Sequence, residues 1–427
     1  MKEERLLKGS VWIISGQFLS MALQAAYFVL MGRTLGSREY GAFVGVVALV
    51  ALLSQFSSLG MEMILLRSVS RDRTTFSATW GNALQVCACG FVLLLAFACL
   101  IGRLTLNPEL RPLIPWIAIS DALFGKVVQL ASRALQGAGE MRHYANLSTS
   151  VYAGRAVMAA ALCAYARRTH ALPDAYLWAR IYWVAPCVTA AVALWIVTVK
   201  LGRPRFERLR LRDLSEGLSF SFSNSSISAY NDIDKTFLVS VGQTYAAGIY
   251  SAAYRVIDAA TAPLYGIYTA ATPRLFRAGG RSVREANMHA NRLLRRTLPY
   301  GVLVAICLYI GAGLMPHFFG PSFRGSITVL RWLCLLPLLR VLHYAWGTTI
   351  TASASQWNRT AIQLGAAGLN LLLNFLLIPR WSWQGAAAAS LITDGSLALS
   401  SFIALGHIRR RERLSAQAGL TAASLGD

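Results

Sequence analysis

Charge is scarce in this sequence, and acid is scarcer still. Only 14% of the 427 residues are Asp, Glu, Lys or Arg, whereas soluble domains carry about 25%, so a large water-exposed enzyme module is excluded. Disulfides are not expected, because all seven cysteines (Cys87, Cys89, Cys99, Cys163, Cys187, Cys307, Cys334) fall inside apolar runs and read as small buried residues. Cys87 and Cys89 point about 200° apart on a helix, and no His joins them to form a metal set. The six histidines are scattered without metal or triad spacing. A phosphate-binding GxxxxGK[ST] loop is missing too: Gly125-Lys126-Val127 lacks the first glycine at the right spacing and the hydroxyl, which argues against direct use of ATP. No cofactor, metal or catalytic residue is expected.

What the chain has instead is apolar length. Hydrophobic residues make up 55% of it, and windows bounded by charge, Pro or Gly give twelve candidate membrane helices. They lie near 10–31, 41–60, 78–102, 113–136, 145–166, 176–199, 215–240, 245–272, 297–316, 326–350, 358–379 and 383–407, each near the roughly 20 residues that span a bilayer. The first window, Val11 to Met31, exceeds a signal-peptide core and lacks a small-residue cleavage site, so it reads as a retained span. The seventh is crowded by Ser219, Ser221, Ser223, Asn224, Ser225, Ser226 and Ser228; such a helix should face protein or water rather than lipid. Trp12, Trp116, Trp381 and Trp383 stand near window ends and read as interface anchors.

The excess of 41 Lys and Arg over 19 Asp and Glu has to be placed before it is interpreted. With Arg133 and Arg359, at the edges of the fourth and eleventh windows, counted with the fourth and tenth loops, alternate loops beginning with the N-terminus hold 26 basic residues and the others 8. By the positive-inside rule this puts both termini in the cytoplasm and supports an even number of spans. Much of the positive charge is thus topological, and nucleic acid is not the implied partner. Lys200 to Arg212 and Arg274 to Arg296 either serve the positive-inside signal alone or lie in addition on anionic lipid headgroups. Seven basic residues remain inside the windows: Lys126, Arg155, Arg180, Lys235, Arg255, Arg331 and Arg340. An ionised side chain at mid-bilayer costs about 2.5 to 3.5 kcal/mol on the mildest scale and usually faces a cavity or a partner.

The two halves of the chain echo each other. Gly41 and Phe43, after the first window, are matched at an offset of 207 by Gly248 and Tyr250 after the seventh, and Arg67 falls on Arg274. The expected organisation is an N-terminal lobe over 1–199, a basic linker over 200–214, a C-terminal lobe over 215–407 and a tail over 408–427. Parallel repeats of this kind hold substrate between them near the midplane.

At these residues the sequence resembles the polysaccharide transport family, the O-antigen and exopolysaccharide flippases of the multidrug/oligosaccharidyl-lipid/polysaccharide exporter superfamily. The likeness is carried by Arg33-Thr34-Leu35-Gly36, Glu39-Tyr40-Gly41-Ala42-Phe43, Leu59-Gly60 and Arg67. It continues through Asp234-Lys235-Thr236-Phe237-Leu238, Ala247-Gly248-Ile249-Tyr250, Ser251-Ala252-Ala253-Tyr254-Arg255 and Pro273-Arg274. A third part is Asn370-Leu371-Leu372-Leu373-Asn374, Ile378-Pro379 and Gln384-Gly385-Ala386-Ala387. The resemblance implies an all-α membrane protein of two six-helix lobes around a central cavity. It further implies transfer of a lipid-linked sugar across the inner membrane by alternating access. One departure is Trp381-Ser382-Trp383, a segment in which the family often has glycine.

A polyprenyl-diphosphate-linked glycan, the substrate class so implied, needs lipid for its tail, a wet route for its sugars and positive charge for its diphosphate. Lys126, Arg155, Arg255 and Arg340 fall near mid-span; Arg offers a planar two-donor fork and Lys a point charge. Arg180 and Arg331 lie nearer the periplasmic ends, where snorkelling is the competing role. Arg255 with Asp258, and Lys235 with Asp232, are three apart and suited to local ion pairs. Arg155 and Arg340 have no acid within four residues and are left to substrate or to Asp121 and Asp394 on other helices. Asp121, Asp258 and Asp394 therefore read either as fixed counter-charges or as sites for a coupling H⁺ or Na⁺.

The expected protein is a monomeric transporter rather than an enzyme, working beside glycan synthesis and polymerisation proteins in a bacterial inner membrane. A cation-coupled drug antiporter of the same superfamily would favour an acidic cavity. A membrane glycan polymerase would show a substantial external loop with catalytic acids, whereas the external loops here are short and nearly free of carboxylates.

Overall fold

The computed structural model describes residues 2–170, 172–207, 211–279, 282–352 and 356–424. These residues are almost entirely helical, and no strand occurs among them. In chain order the helices are α1 (Lys2–Ser54), α2 (Met61–Arg71), α3 (Phe76–Thr105), α4 (Leu113–Ala118), α5 (Gly125–Gly137), α6 (Met141–Thr169), α7 (Ala175–Tyr182) and α8 (Val184–Leu201). They continue as α9 (Leu211–Ser240), α10 (Thr244–Gly279), α11 (Val283–Gly311), α12 (Met315–Phe319), α13 (Ser326–Leu333), α14 (Leu336–Ala352) and α15 (Gln356–Ser424).

Eight stretches among the described residues are long and apolar enough to cross a membrane, as an all-α multi-pass membrane protein requires. Two are too long for one passage: Ser15–Ser54 has 40 residues and Asn358–Arg410 has 53, at 1.5 Å per residue far beyond a hydrocarbon core of about 30 Å. Each is broken where two of the expected windows meet. Gly36 (φ 72°, ψ 172°) interrupts α1, and Ser382 (φ 55°, ψ −135°) interrupts α15. The seventh and eighth windows lie on α9 and α10, which are not among the eight apolar stretches. For α9 the serine-rich composition is the reason.

The loop expected between the second and third windows is instead mostly helix. The second window extends to residue 60 in the sequence, but α1 ends at Ser54 and α2 begins at Met61. Met61, Ile64, Leu65 and Val69 repeat with helical spacing and are buried, packing in one core with Val128, Leu130, Ala131, Ala134 and Leu135 of α5. Between α4 and α5 the chain keeps winding through a wider π turn at Ile119–Phe124.

The helices gather into two compact units. The first comprises Met1–Ala252 with Pro316–Arg324; the second comprises Ala253–Met315 with Gly325–Asp427. The family-like motifs of the first unit are largely structural in their contacts. Arg33 Nε donates to the Phe318 carbonyl at 2.7 Å and its guanidinium also to that of His317 at 2.5 Å, tying α1 to the end of α12. Asp234 is buried and accepts from the Tyr250 hydroxyl at 2.6 Å, joining α9 to α10. Lys235 Nζ donates to Asp232 at 2.5 Å, the local pair expected from sequence. Arg67 of the first unit and Arg274 of the second lie on exposed surface. In the second unit, Asn370 donates to Thr393 at 3.2 Å and accepts from Asn374 at 2.8 Å, all three buried.

Candidate functional site

The chemistry of the first unit converges on a cavity of about 370 Å³. Lys126, Arg133 and Arg155 line it together with Asp121, and Gln55, Gln129, Ser132, Tyr144, Ser148 and Tyr152 complete a polar wall. Three cations against one carboxylate give the lining a positive balance. The π turn supplies Asp121, α5 supplies Lys126 and Arg133, and α6 supplies Arg155.

Arg155 is held from two sides. Its Nη2 donates to Asp121 Oδ1 at 2.5 Å and to Ser120 Oγ at 3.3 Å. Its guanidinium carbon stands 4.2 Å from the centre of the Tyr182 ring, and the Tyr182 hydroxyl donates to the other oxygen of Asp121 at 3.2 Å. The side chain is thus oriented by an ion pair and a cation–π contact together. The partner expected from another helix, Asp121, does reach it.

Lys126 is 4% exposed, and so deeply buried an ammonium needs an acceptor. It finds Gln55 Oε1 at 3.1 Å and Glu62 Oε1 at 3.8 Å. Glu62 itself is 2% exposed and accepts from the Ser58 hydroxyl at 2.7 Å. Sequence reading missed Glu62, since it falls just past the second window, although a lone acid in the apolar run Leu59–Leu66 was a usable signal. It also missed Arg133, grouped with the basic residues of the fourth loop; Arg133 is on α5 and donates to Gln136 at 2.7 Å.

The second unit has its own arginine set. Arg340 on α14 is buried and donates to Asp258 Oδ1 at 3.0 Å and to Thr261 Oγ1 at 3.2 Å. The Tyr254 ring centre lies 5.7 Å from its guanidinium. Asp258, one turn from Arg255 in sequence, is therefore engaged by an arginine of another helix. Asp394, which sequence reading offered to Arg340, is fully buried and sits 3.7 Å from His343 Nε2. Arg255 is partly buried on α10. Arg180 and Arg331 are exposed, each near a tyrosine: Tyr176 at 5.8 Å and Tyr309 at 5.3 Å from the guanidinium. Neither lines the first unit's cavity. No cluster of three or more metal-ligating side chains occurs among the described residues.

Comparison with known proteins places this geometry in a family. Over 95% of this chain and 99% of its own length, an uncharacterised membrane protein of Methanocaldococcus jannaschii is 20% identical. Among solved structures, an inward-facing multidrug resistance MATE transporter of the MOP superfamily matches with a TM-score of 0.69 at 16% identity, covering 91% of this chain and 96% of that one. The lipid II flippase MurJ in an inward closed conformation matches at 0.65 and 11% identity, covering 93% and 87%. A MOP superfamily transporter from Pyrococcus furiosus, described as having a binding pocket of reversed polarity, matches at 0.62 and 15%, covering 94% and 96%. These likenesses define the fold. The model of the family described as polysaccharide biosynthesis protein matches residues 6–278, and the chain belongs to that family.

Proposed function

We propose that the protein is a flippase that carries a polyprenyl-diphosphate-linked oligosaccharide from the cytoplasmic to the periplasmic leaflet of a bacterial inner membrane, for O-antigen or exopolysaccharide synthesis. The observation that carries this reading is the cavity in which Lys126, Arg133 and Arg155 face a polar wall. A diphosphate matches the two-donor fork of Arg155, while hydroxyl and amide side chains suit the hydroxyls of a sugar. Family membership and the MurJ-like fold support it. In this reading the lobes 1–199 and 215–407 alternate access, with Arg255 and Arg340 contributing positive charge from the second and Arg180 and Arg331 at the periplasmic rim. Both termini lie in the cytoplasm. The protein acts as a monomer within the lipid bilayer and hands its cargo to glycan-polymerising proteins.

A drug antiporter reading is weaker, because Asp121 and Asp258 are each engaged by an arginine. The test is translocation of a fluorescent polyprenyl-diphosphate oligosaccharide in vesicles carrying the purified protein. Arg155→Ala abolishes flipping at normal protein level, and Arg155→Lys restores it only in part because one charge replaces a fork. Full activity of Arg155→Ala refutes the assignment. Imposed H⁺ and Na⁺ gradients on the same vesicles decide between Asp121, Asp258 and Asp394 as coupling sites and as fixed counter-charges.

A further inference from the structure

Helix α11 runs 29 residues, Val283–Gly311, more than a bilayer core requires, and its two halves differ in chemistry. The C-terminal half is lipid-like on its outside: Leu298, Val302, Leu303, Ile306, Tyr309 and Ile310 are exposed. In the N-terminal half the exposed side chains are Arg284, Met288, His289, Arg292, Arg295 and Arg296. At 100° per residue the four arginines occupy an arc of about 120°, and the exposed apolar residues fall over nearly the same arc further along the axis. One face of one helix thus changes from hydrocarbon-compatible to cationic within a turn.

The other face is accounted for. Ala286, Asn287, Ala290 and Thr297 are buried, and Ala290 packs with Leu275 of α10 and Ala352 of α14. The arginines therefore point away from their own unit. Glu285 is the one carboxylate that shares the arc, in the first turn, where the Ser282 hydroxyl accepts from its backbone N–H at 3.0 Å. Pro299 lacks the N–H that would otherwise engage the Arg295 carbonyl, so a backbone acceptor is also released at the level where the two chemistries meet.

We propose that this face of α11 is a binding site for the phosphate headgroups of anionic phospholipids, whose acyl chains lie along Leu298 to Ile310. The geometry favours lipid over a soluble anion because headgroup and tail are matched by one uninterrupted helical face. A positive-inside signal alone requires charge in the loop, not charge aligned with the lipid-facing side of the next span.

The experiment is lipid competition on the full-length protein, with phosphatidylglycerol and phosphatidylcholine in nanodiscs of varied composition, read by native mass spectrometry and thermal unfolding. Each basic residue near an anionic surface contributes about five-fold. The variant with Arg284, Arg292, Arg295 and Arg296 all changed to Gln loses its preference for phosphatidylglycerol at least about ten-fold, while the four-fold Arg→Lys variant keeps most of it. The preference of wild type also falls as salt is raised. Unchanged preference in the Gln variant, or a preference that disappears instead with Arg203→Gln and Arg205→Gln in the linker, overturns the proposal. If the four-fold Gln variant does not fold, Arg284→Gln with Arg292→Gln carries the same expectation at smaller size.

Discussion

Gly41 of α1 and Gly248 of α10, the two glycines related by the sequence repeat, lie backbone against backbone. A β-carbon on Gly41 would stand 1.9 Å from the Thr244 carbonyl oxygen and 2.5 Å from Gly248 N; one on Gly248 would stand 1.8 Å from the Ser37 carbonyl oxygen. Small residues that let helix backbones approach are a main source of helix association in lipid. The motif thus joins its own two copies.

Even alanine at position 41 should force α1 and α10 apart. We expect Gly41→Ala to destabilise the purified protein by about 3 kcal/mol or more, since the clash is with main chain that no rotamer change relieves. Gly266→Ala on the same helix α10 is the control, with nothing within 4 Å of its β-carbon; it should be neutral or slightly stabilising. Thermal unfolding in detergent measures both.

Much of this was legible in the sequence. Apolar length located the windows that lie on helix, and the unexplained basic residues included Lys126 and Arg155, which share one cavity. What escaped were relationships set by packing between distant segments. Arg340 meets Asp258 across 82 positions, and no local rule distinguishes that acid from Asp394. Helix α2 was hidden because its charged end, Arg67 to Arg71, reads as loop, although its buried stripe pins it to α5. Composition is likewise silent on the π turn beneath Asp121.

The Lys126–Glu62 pair is buried at both ends, with side-chain exposures of 5% and 3%. Removing one partner of such a pair leaves an uncompensated charge and costs about 3 to 5 kcal/mol, whereas replacing both with apolar groups of similar size is far milder. Glu62→Met and Lys126→Met should each lower stability strongly. Combining Glu62→Met with Lys126→Met should recover most of it while still impairing transport. Denaturant titration of the four proteins gives the coupling energy; additive losses would show that the two charges do not support each other.

Ser382 adopts φ 55°, ψ −135° between Trp381 and Trp383, a backbone state that favours glycine. The turn thus keeps a glycine-like conformation while carrying a side chain, at a cost of about 1 to 3 kcal/mol. Ser382→Gly should therefore raise stability by about 1 kcal/mol after the entropy loss of glycine is deducted, seen as a higher Tm at unchanged transport.

Outside the apolar spans, Asp72 caps the turn leading into α3. Its carboxylate accepts from the Thr74 backbone N–H at 2.9 Å and from the Thr74 hydroxyl at 2.8 Å, and the backbone bond foremost lowers its pKa below the usual value. A folded pKa below the unfolded one means the cap contributes fully above the unfolded value of about 3.9 and is lost as pH falls through the folded one. Amide exchange at Thr74, corrected for its intrinsic pH dependence, should stay protected from neutrality to mild acid and lose protection below about pH 4. Asp72→Asn should flatten that profile.

The π turn at Ile119–Phe124 has a consequence for how this gene tolerates insertion and deletion. A π turn holds one residue more than the α-helix around it. Losing a single codon there would leave an unbroken, fully hydrogen-bonded α-helix, so the chain would still cross the bilayer. The same loss would rotate α4 by about 100° relative to α5 and swing Asp121 away from Arg155. At this point, unlike at a loop, a one-residue gap between relatives is quiet for the scaffold and marks a change in what the cavity holds.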